Sequence, residues 1–501
     1  MANNRPVSID RQKTLSLIIA SFFLLTSCSF ETSTPASIVI ESTPTIFIPT
    51  TTPVYFLHQT ATPDTPHNLP TLRSEEVQYV IQPNDSLGTL ANYYGITLKQ
   101  LAELNAIVNP DLIYPGQQII IPPPAPISMG LEYKIISDDL LINSPAAINF
   151  DVFEYIKNSD SFLSNYRETV DEQSLTGAAI VYRVSQEYSV NPKLLISLLE
   201  KQGAWLSERQ PSETSLTYPL GMKSPHRTGL YRQLAWAADV LNRGYYLWQI
   251  NALNTWLLAS EELLTISPNI NAGTAAVQYF SSLLHSYVEW ENFCGANGVQ
   301  NTYVELFGDP FIQSSDHGEV FQQPTMQLPF ADGEEWSFTG GPHGGWGNGS
   351  AWAALDFAPP GTELGCFSTN YWVEAVADGL IVYENNGLVI QDLDGDGYSQ
   401  TGWVVIYQHI ESRDRIKVGT IVQSGDPIGH PSCEGGISSG THVHIARRYN
   451  GEWIAADGQI PFVMDGWESR GTGRLYDGYL IREGQVVEAW ADRREENQIS
   501  R

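Results

Sequence analysis

The chain has 501 residues, too many for one hydrophobic core, so about three domains are expected. Its formal charge of −29 argues against nucleic acid and against electrostatic binding to anionic lipid as partners, while 42% apolar residues is ordinary for globular domains. Only four cysteines and ten histidines are present, so their placement carries information.

At the N-terminus, Arg5, Arg11 and Lys13 precede the apolar run "LSLIIASFFLL". The run is too short to span a membrane as a mature helix, and basic residues before a short apolar stretch mark an export signal over residues 1–27. The following "LTSC", ending at Cys28, resembles the lipobox of bacterial lipoproteins. The resemblance implies that Cys28 is acylated and anchors the mature chain to a membrane at the cell envelope or surface. Residues 28–75, rich in Thr, Pro and Ser ("STPTIFIPTTTP"), bury too little to fold and read as an extended tether.

Residues 76–123 change texture. A strand "QYVIQ" leads into "NDSLGTLANYYG", where Asp85 or Ser86 can cap a helix that Gly95 ends. A second helix "TLKQLAELN", a turn "YPGQ" and a strand "IIIP" follow. This βααβ order, with "QPNDSL", "YYGIT", "LAELN" and "LIYPGQQIIIP", resembles the LysM module and implies binding to the glycan strands of peptidoglycan or chitin.

After "PPPAPI", residues 149–312 carry apolar side chains at three- and four-residue spacing in "SLTGAAIVYRVSQEYSV", "NPKLLISLLEKQGAWL" and "GLYRQLAWAADVLNRGYY", a helical domain. The second of these segments resembles the helix bearing the catalytic glutamate of lysozyme-like transglycosylases, which would make Glu200 a glycosidase acid raised in pKa by its leucine neighbours. The serine after that glutamate and the "GLMQ" segment of the family are absent.

From about Phe330 the pattern is β, with strands such as "AVADGLIVY" and "WVVIYQHI" between Gly-rich turns, suggesting a sandwich or open barrel over residues 326–490. "GTHVHI" places His442 and His444 at i and i+2, on one face of a strand. A catalytic zinc needs three imidazole or carboxylate ligands and an open fourth position; His343, Asp356 and one of this pair would suffice. The segments "LDFAPPG", "AVADGLIVY", "VVIYQHI", "VGTIVQSGDPIGH" and "GTHVHI", in that order, resemble the lysostaphin/β-lytic zinc endopeptidase family, whose fold is of the duplicated hybrid motif type. Most members have their first ligand histidine four residues before the aspartate, where this chain has Trp352. The β-lytic and staphylolytic branch has it thirteen residues before, where His343 stands. The resemblance therefore implies His343, Asp356 and His444 as zinc ligands and His409 and His442 as catalytic histidines. His430 matches no ligand position and reads as structural.

Cys366 and Cys433 lie in this same domain of an exported chain and are the expected disulfide, leaving Cys294 as a buried thiol. "DLDGDGYSQTGW" puts Asp392, Asp394 and Asp396 at positions 1, 3 and 5 of an EF-hand-like loop with Gly397 at 6, a candidate calcium site whose position 12 is Trp403 rather than a carboxylate. The expected architecture is multidomain α+β: a LysM module, a helical middle domain and an all-β peptidase. The expected function is zinc-dependent hydrolysis of peptidoglycan peptide cross-links. The rival readings are a non-catalytic peptidoglycan-binding lipoprotein and a glycan-strand hydrolase acting through Glu200.

Overall fold

The computed structural model describes residues 66–83, 85–311 and 322–501. Cys28, the export signal and most of the tether lie outside the described residues. Among the described residues, no helix is long and apolar enough to cross a membrane.

The LysM region is built as β1 (Val77–Val80), α1 (Leu87–Tyr94), α2 (Leu98–Leu104) and β2 (Gln118–Ile121), the two strands pairing antiparallel with Val77 opposite Ile121. Ser86 caps α1, its Oγ accepting from Thr89 N at 3.0 Å. Gly95 ends α1 at a φ of +65°, and Thr97 with Gln100 forms a reciprocal capping box on α2. Leu87, Leu90, Ile96, Leu101, Ile119 and Ile121 make its core.

The middle region is helical, and its helices begin at Asp138–Leu141, earlier than residue 149. Its principal helices are α3 (Gly177–Tyr188), α4 (Pro192–Gly203), α5 (Leu230–Gln249) and α6 (Ala272–Ser282), with α5 and α6 packed side by side. Short strands interrupt the helices where the sequence pattern gave only helix. Arg167–Val170 and Gln173–Thr176 form a hairpin whose turn residues Asp171 and Glu172 both have positive φ. Ser128–Met129 pairs in parallel with Leu263–Thr265.

The C-terminal region centres on a nine-stranded antiparallel sheet. Its strands include β3 (Trp336–His343), β4 (Ala354–Ala358), β5 (Gly379–Asn385), β6 (Leu388–Asp392), β7 (Trp403–Gln408), β8 (Ile421–Val422), β9 (Val443–Tyr449) and β10 (Gln498–Ile499). They run in the order β8-β5-β6-β7-β9-β4-β3-β10, and Glu452–Trp453 pairs beside β9. A four-stranded sheet over residues 463–488 stands apart from it in hydrogen bonding.

An antiparallel sheet commonly leaves one face to water, with alternating polar residues. Here both faces are covered, which is why β7 reads "WVVIYQ" and is buried throughout. Ile381, Val389, Val405, Tyr407 and Ile445 pack with Leu480 and Trp467 of the smaller sheet. Their alternate neighbours Leu388, Ile390, Val404, Ile406 and Ala446 join one continuous core with Val181, Leu198, Leu241 and Phe280 of the helices. Ala354 belongs to that helix-facing set, and by the two-residue period so do Asp356 on β4 and His444 on β9. The face bearing these two residues is the face the helices cover.

Candidate metal centre

Three adjacent strands bring the candidate ligands together. Asp356 is the cross-strand partner of His444 on one side and of Gly340 on the other. Gly340 is required there, because a Cβ would stand 2.5 Å from Asp356 Oδ2. Register shifts in β3 between Phe338 and Gly340 and again before His343 carry that histidine to the site.

His343 Nε2 lies 3.0 Å from His444 Nδ1, and each of these atoms lies 3.3 Å from Asp356 Oδ1. All three residues are buried. Backbone carbonyls fix both rings: Gly341 O is 2.8 Å from His343 Nδ1, and Gly345 O is 3.1 Å from His444 Nε2. A carbonyl can only accept, so each of those ring nitrogens carries a proton, and in the neutral rings His343 Nε2 and His444 Nδ1 present lone pairs to one another and to a carboxylate oxygen. That carboxylate oxygen, Asp356 Oδ1, is buried without a hydrogen-bond donor.

Three convergent lone pairs repel unless a cation sits among them. Ligands held about 2.0–2.1 Å from a tetrahedral metal are separated by about 3.3 Å, close to the 3.0, 3.3 and 3.3 Å found here. The donor set, two imidazoles and one carboxylate, is one that zinc favours, so the residues fit the metal.

His442 Nε2 is 3.6 Å from Asp356 Oδ1, and its Nδ1 is 2.7 Å from Gly440 O. His409, just beyond β7 and at a φ of +66°, has Nδ1 3.0 Å from Glu434 O and its ring 4.6 Å from that of His442. The sequence-predicted five residues are thus one cluster.

Burial pushes the His409 imidazole down to about 3, aided by His442 and His444. His444 is lowered mainly by burial, with Asp356 offsetting part of the effect. Burial works against the Asp356 carboxylate, yet His343 and His442 hold it well below the usual range. Burial likewise opposes a charge on His343, and Asp356 outweighs it to leave the ring raised.

Neighbours that no local pattern marked complete the site. Tyr476 stacks on His343 with centroids 4.2 Å apart and planes at 25°. A cleft of about 1060 Å³ opens over the cluster, lined by Asp171, Arg183, Glu187 and Tyr231 of the helical region and by Leu364 and Ile437 of two loops of the C-terminal region. Those loops are joined by the Cys366–Cys433 disulfide, with Cα atoms 5.8 Å apart. Cys294 is a buried free thiol.

Three other sequence candidates lie elsewhere. Glu200 is not among the cleft-lining residues, and its Oε2 accepts from Leu206 N at 2.7 Å and Ser207 N at 3.2 Å, fixing the chain after α4. His430 is buried against Trp372 at 4.0 Å, with Nδ1 2.8 Å from Tyr371 O. Asp392, Asp394 and Asp396 gather in the turn between β6 and β7, with one oxygen of each within 4.8 Å of the others.

Three stretches of the chain match family models. Residues 79–122 match the LysM domain, 134–319 the N-terminal domain of LasA, and 359–456 peptidase family M23. The last contains His409, His442 and His444, while His343 and Asp356 precede it. The C-terminal domain is an M23 peptidase domain of the lysostaphin/β-lytic type. Protease LasA of Pseudomonas aeruginosa is 26% identical over 347 residues, 64% of this chain and 75% of that one. The β-lytic metalloendopeptidase of Lysobacter enzymogenes is 26% identical over 167 residues, 32% of this chain and 90% of its own. Among solved structures, the M23 metalloprotease pseudoalterin is 27% identical and covers 36% of this chain and 99% of its own, with a TM-score of 0.29.

Proposed function

We propose that this M23 protein is a zinc-dependent endopeptidase that hydrolyses peptide cross-links of peptidoglycan. In this reading it is held at the bacterial surface by a lipid on Cys28 and directed to glycan strands by its LysM module. The observation that carries the proposal is the pair of backbone-fixed imidazoles whose lone pairs meet at Asp356 Oδ1. His343 Nε2, Asp356 Oδ1 and His444 Nδ1 are the ligands, in a domain of duplicated hybrid motif type. Zinc bound there supplies Lewis acidity toward a peptide carbonyl and lowers the pKa of a water at its open position to about 7.

The remaining chemistry belongs to the two other imidazoles. His409, its Nδ1–H donating to Glu434 O, turns Nε2 toward the site as the acceptor for the attacking water's proton. His442, its Nδ1 2.7 Å from Gly440 O and its Nε2 3.6 Å from Asp356 Oδ1, is placed to hydrogen-bond the tetrahedral oxyanion and then the leaving amine. Calcium on Asp392, Asp394 and Asp396 is a structural accessory to this reading.

The test is digestion of peptidoglycan by the purified chain. New amino groups, lost on chelation and restored by zinc, are expected. Chelation-insensitive release of reducing ends or anhydro-sugars would replace this proposal with a glycan-strand hydrolase acting through Glu200, and no release at all with a non-catalytic binding protein.

A further inference from the structure

The segment that follows His343, residues 344–350 with sequence GGWGNGS, touches both imidazole ligands: it starts at His343, and its Gly345 carbonyl faces His444 Nε2 at 3.1 Å. Four glycines give it little conformational preference of its own. Its far end is held by the helical domain. Asn348 N and Gly349 N both donate to Asp239 Oδ1, on α5, at 2.8 and 2.9 Å.

The fit is close enough to need glycine. A Cβ on Gly349 would lie 1.8 Å from the Asp239 carbonyl oxygen, and one on Gly347, at a φ of +65°, would lie 2.3 Å from Asp239 Oδ1. Within the loop, Trp346 N donates to Ser350 Oγ at 3.0 Å, and the Trp346 ring meets Tyr188 of α3 edge-on.

We propose that Asp239 is a positioning residue for the metal centre: by anchoring the 344–350 loop from the helical domain, it sets the placement of His343 and of the carbonyl that orients His444. The helical domain is then part of the peptidase site rather than a spacer. The inference rests on the zinc reading above. A floppy loop between His343 and Asp356 would leave the first ligand free to wander, and partners that orient ligands from outside the coordination shell are worth about 10–100-fold in metal affinity.

The experiment measures zinc affinity of the full chain by competition with a chromogenic chelator. Asp239→Ala is expected to weaken binding at least about 10-fold, within the range for such outer partners. Asp239→Asn, whose Oδ1 still accepts both N–H groups, should stay close to the parent chain. Gly349→Ala should reproduce the loss, and it serves in place of Asp239→Ala if that variant does not fold.

Ser399→Ala removes another hydrogen bond across the same domain junction, Ser399 Oγ to Gln186 Oε1 at 2.7 Å, without touching the loop. It should leave zinc affinity unchanged. Parental affinity in Asp239→Ala, or an equal loss in Ser399→Ala, overturns the positioning role alone. A parent chain that binds no zinc overturns the zinc reading and this inference with it.

Discussion

The two clusters of potential metal ligands in this chain are built on opposite principles. In the turn between β6 and β7 the aspartates are already satisfied by the loop that carries them. Asp392 accepts from Asp394 N, Gly395 N and Gly397 N at 3.1, 3.3 and 2.9 Å, and Asp396 accepts from Tyr398 N and Thr401 Oγ at 2.9 and 2.7 Å. At His343, Asp356 and His444, backbone carbonyls instead occupy the protonated ring nitrogens and leave three acceptors facing each other in a buried space. A loop that satisfies itself has little to gain from an ion. A site that leaves acceptors opposed is incomplete without one, because buried acceptors with no partner cost free energy.

The contrast breaks first at the ligands. Replacing His343 or His444 by Ala should weaken zinc binding more than about 100-fold, beyond the loss of an outer-shell partner, and hydrolysis should vanish with it. His430→Ala should leave zinc and activity in place, although its ring is as buried as theirs. A His343→Ala chain that keeps its zinc would show that the opposed lone pairs are not the metal site.

His409→Ala separates holding the metal from using it. Zinc stoichiometry is expected to stay at one while kcat falls about 10²–10⁴-fold, the usual contribution of a positioned acid or base. Unchanged kcat would remove His409 from the mechanism.

Converting Cys366 and Cys433 to Ser should lower stability by about 2–4 kcal/mol in denaturant titrations, since the bond closes a long loop. No loss would mean that the two cleft loops are held by other contacts.

The smallest effect belongs to the aspartate turn, and it depends on pH. Burial, followed by repulsion from Asp394 and Asp396 and relieved in part by Gly397 N–H, pushes the Asp392 carboxyl up to about 7. A folded pKa above the unfolded one means that this group costs nothing below about pH 4, destabilises the fold increasingly between about pH 4 and 7, and keeps that full cost above 7. Calcium should therefore raise the Tm slightly at pH 8 and less at pH 5. An equal shift at both values, or none, would dismiss the turn as a calcium site.

Much of the candidate site was legible because its residues lie in short ordered segments. "GTHVHI" puts two histidines on one face, and both approach Asp356 Oδ1. Ser86, one of the two cap candidates with Asp85, and Gly95 bound α1 as capping residues do. Other features carry no local signal. Asp239 sits on an amphipathic helix like any surface carboxylate, and only tertiary folding sets it against backbone N–H groups more than a hundred residues away. The helical wall of the cleft is hidden for the same reason. Glu200 shows the converse: leucines flank it in sequence, but they point into the core while its carboxylate caps backbone N–H groups of the following loop. Two-residue strands such as Ser128–Met129 are too short for any period to register.

The sheet with no free face has a consequence for how the molecule comes apart. Leu388, Ile390, Val404 and Ile406 would stand in water if the helices left them, and the helices would expose their own apolar side chains in turn. Hydrophobic burial scales with the area shared, so the two layers cannot melt independently. Calorimetry of the full chain should record them as a single transition, with the LysM region, built on its own small core, free to contribute another.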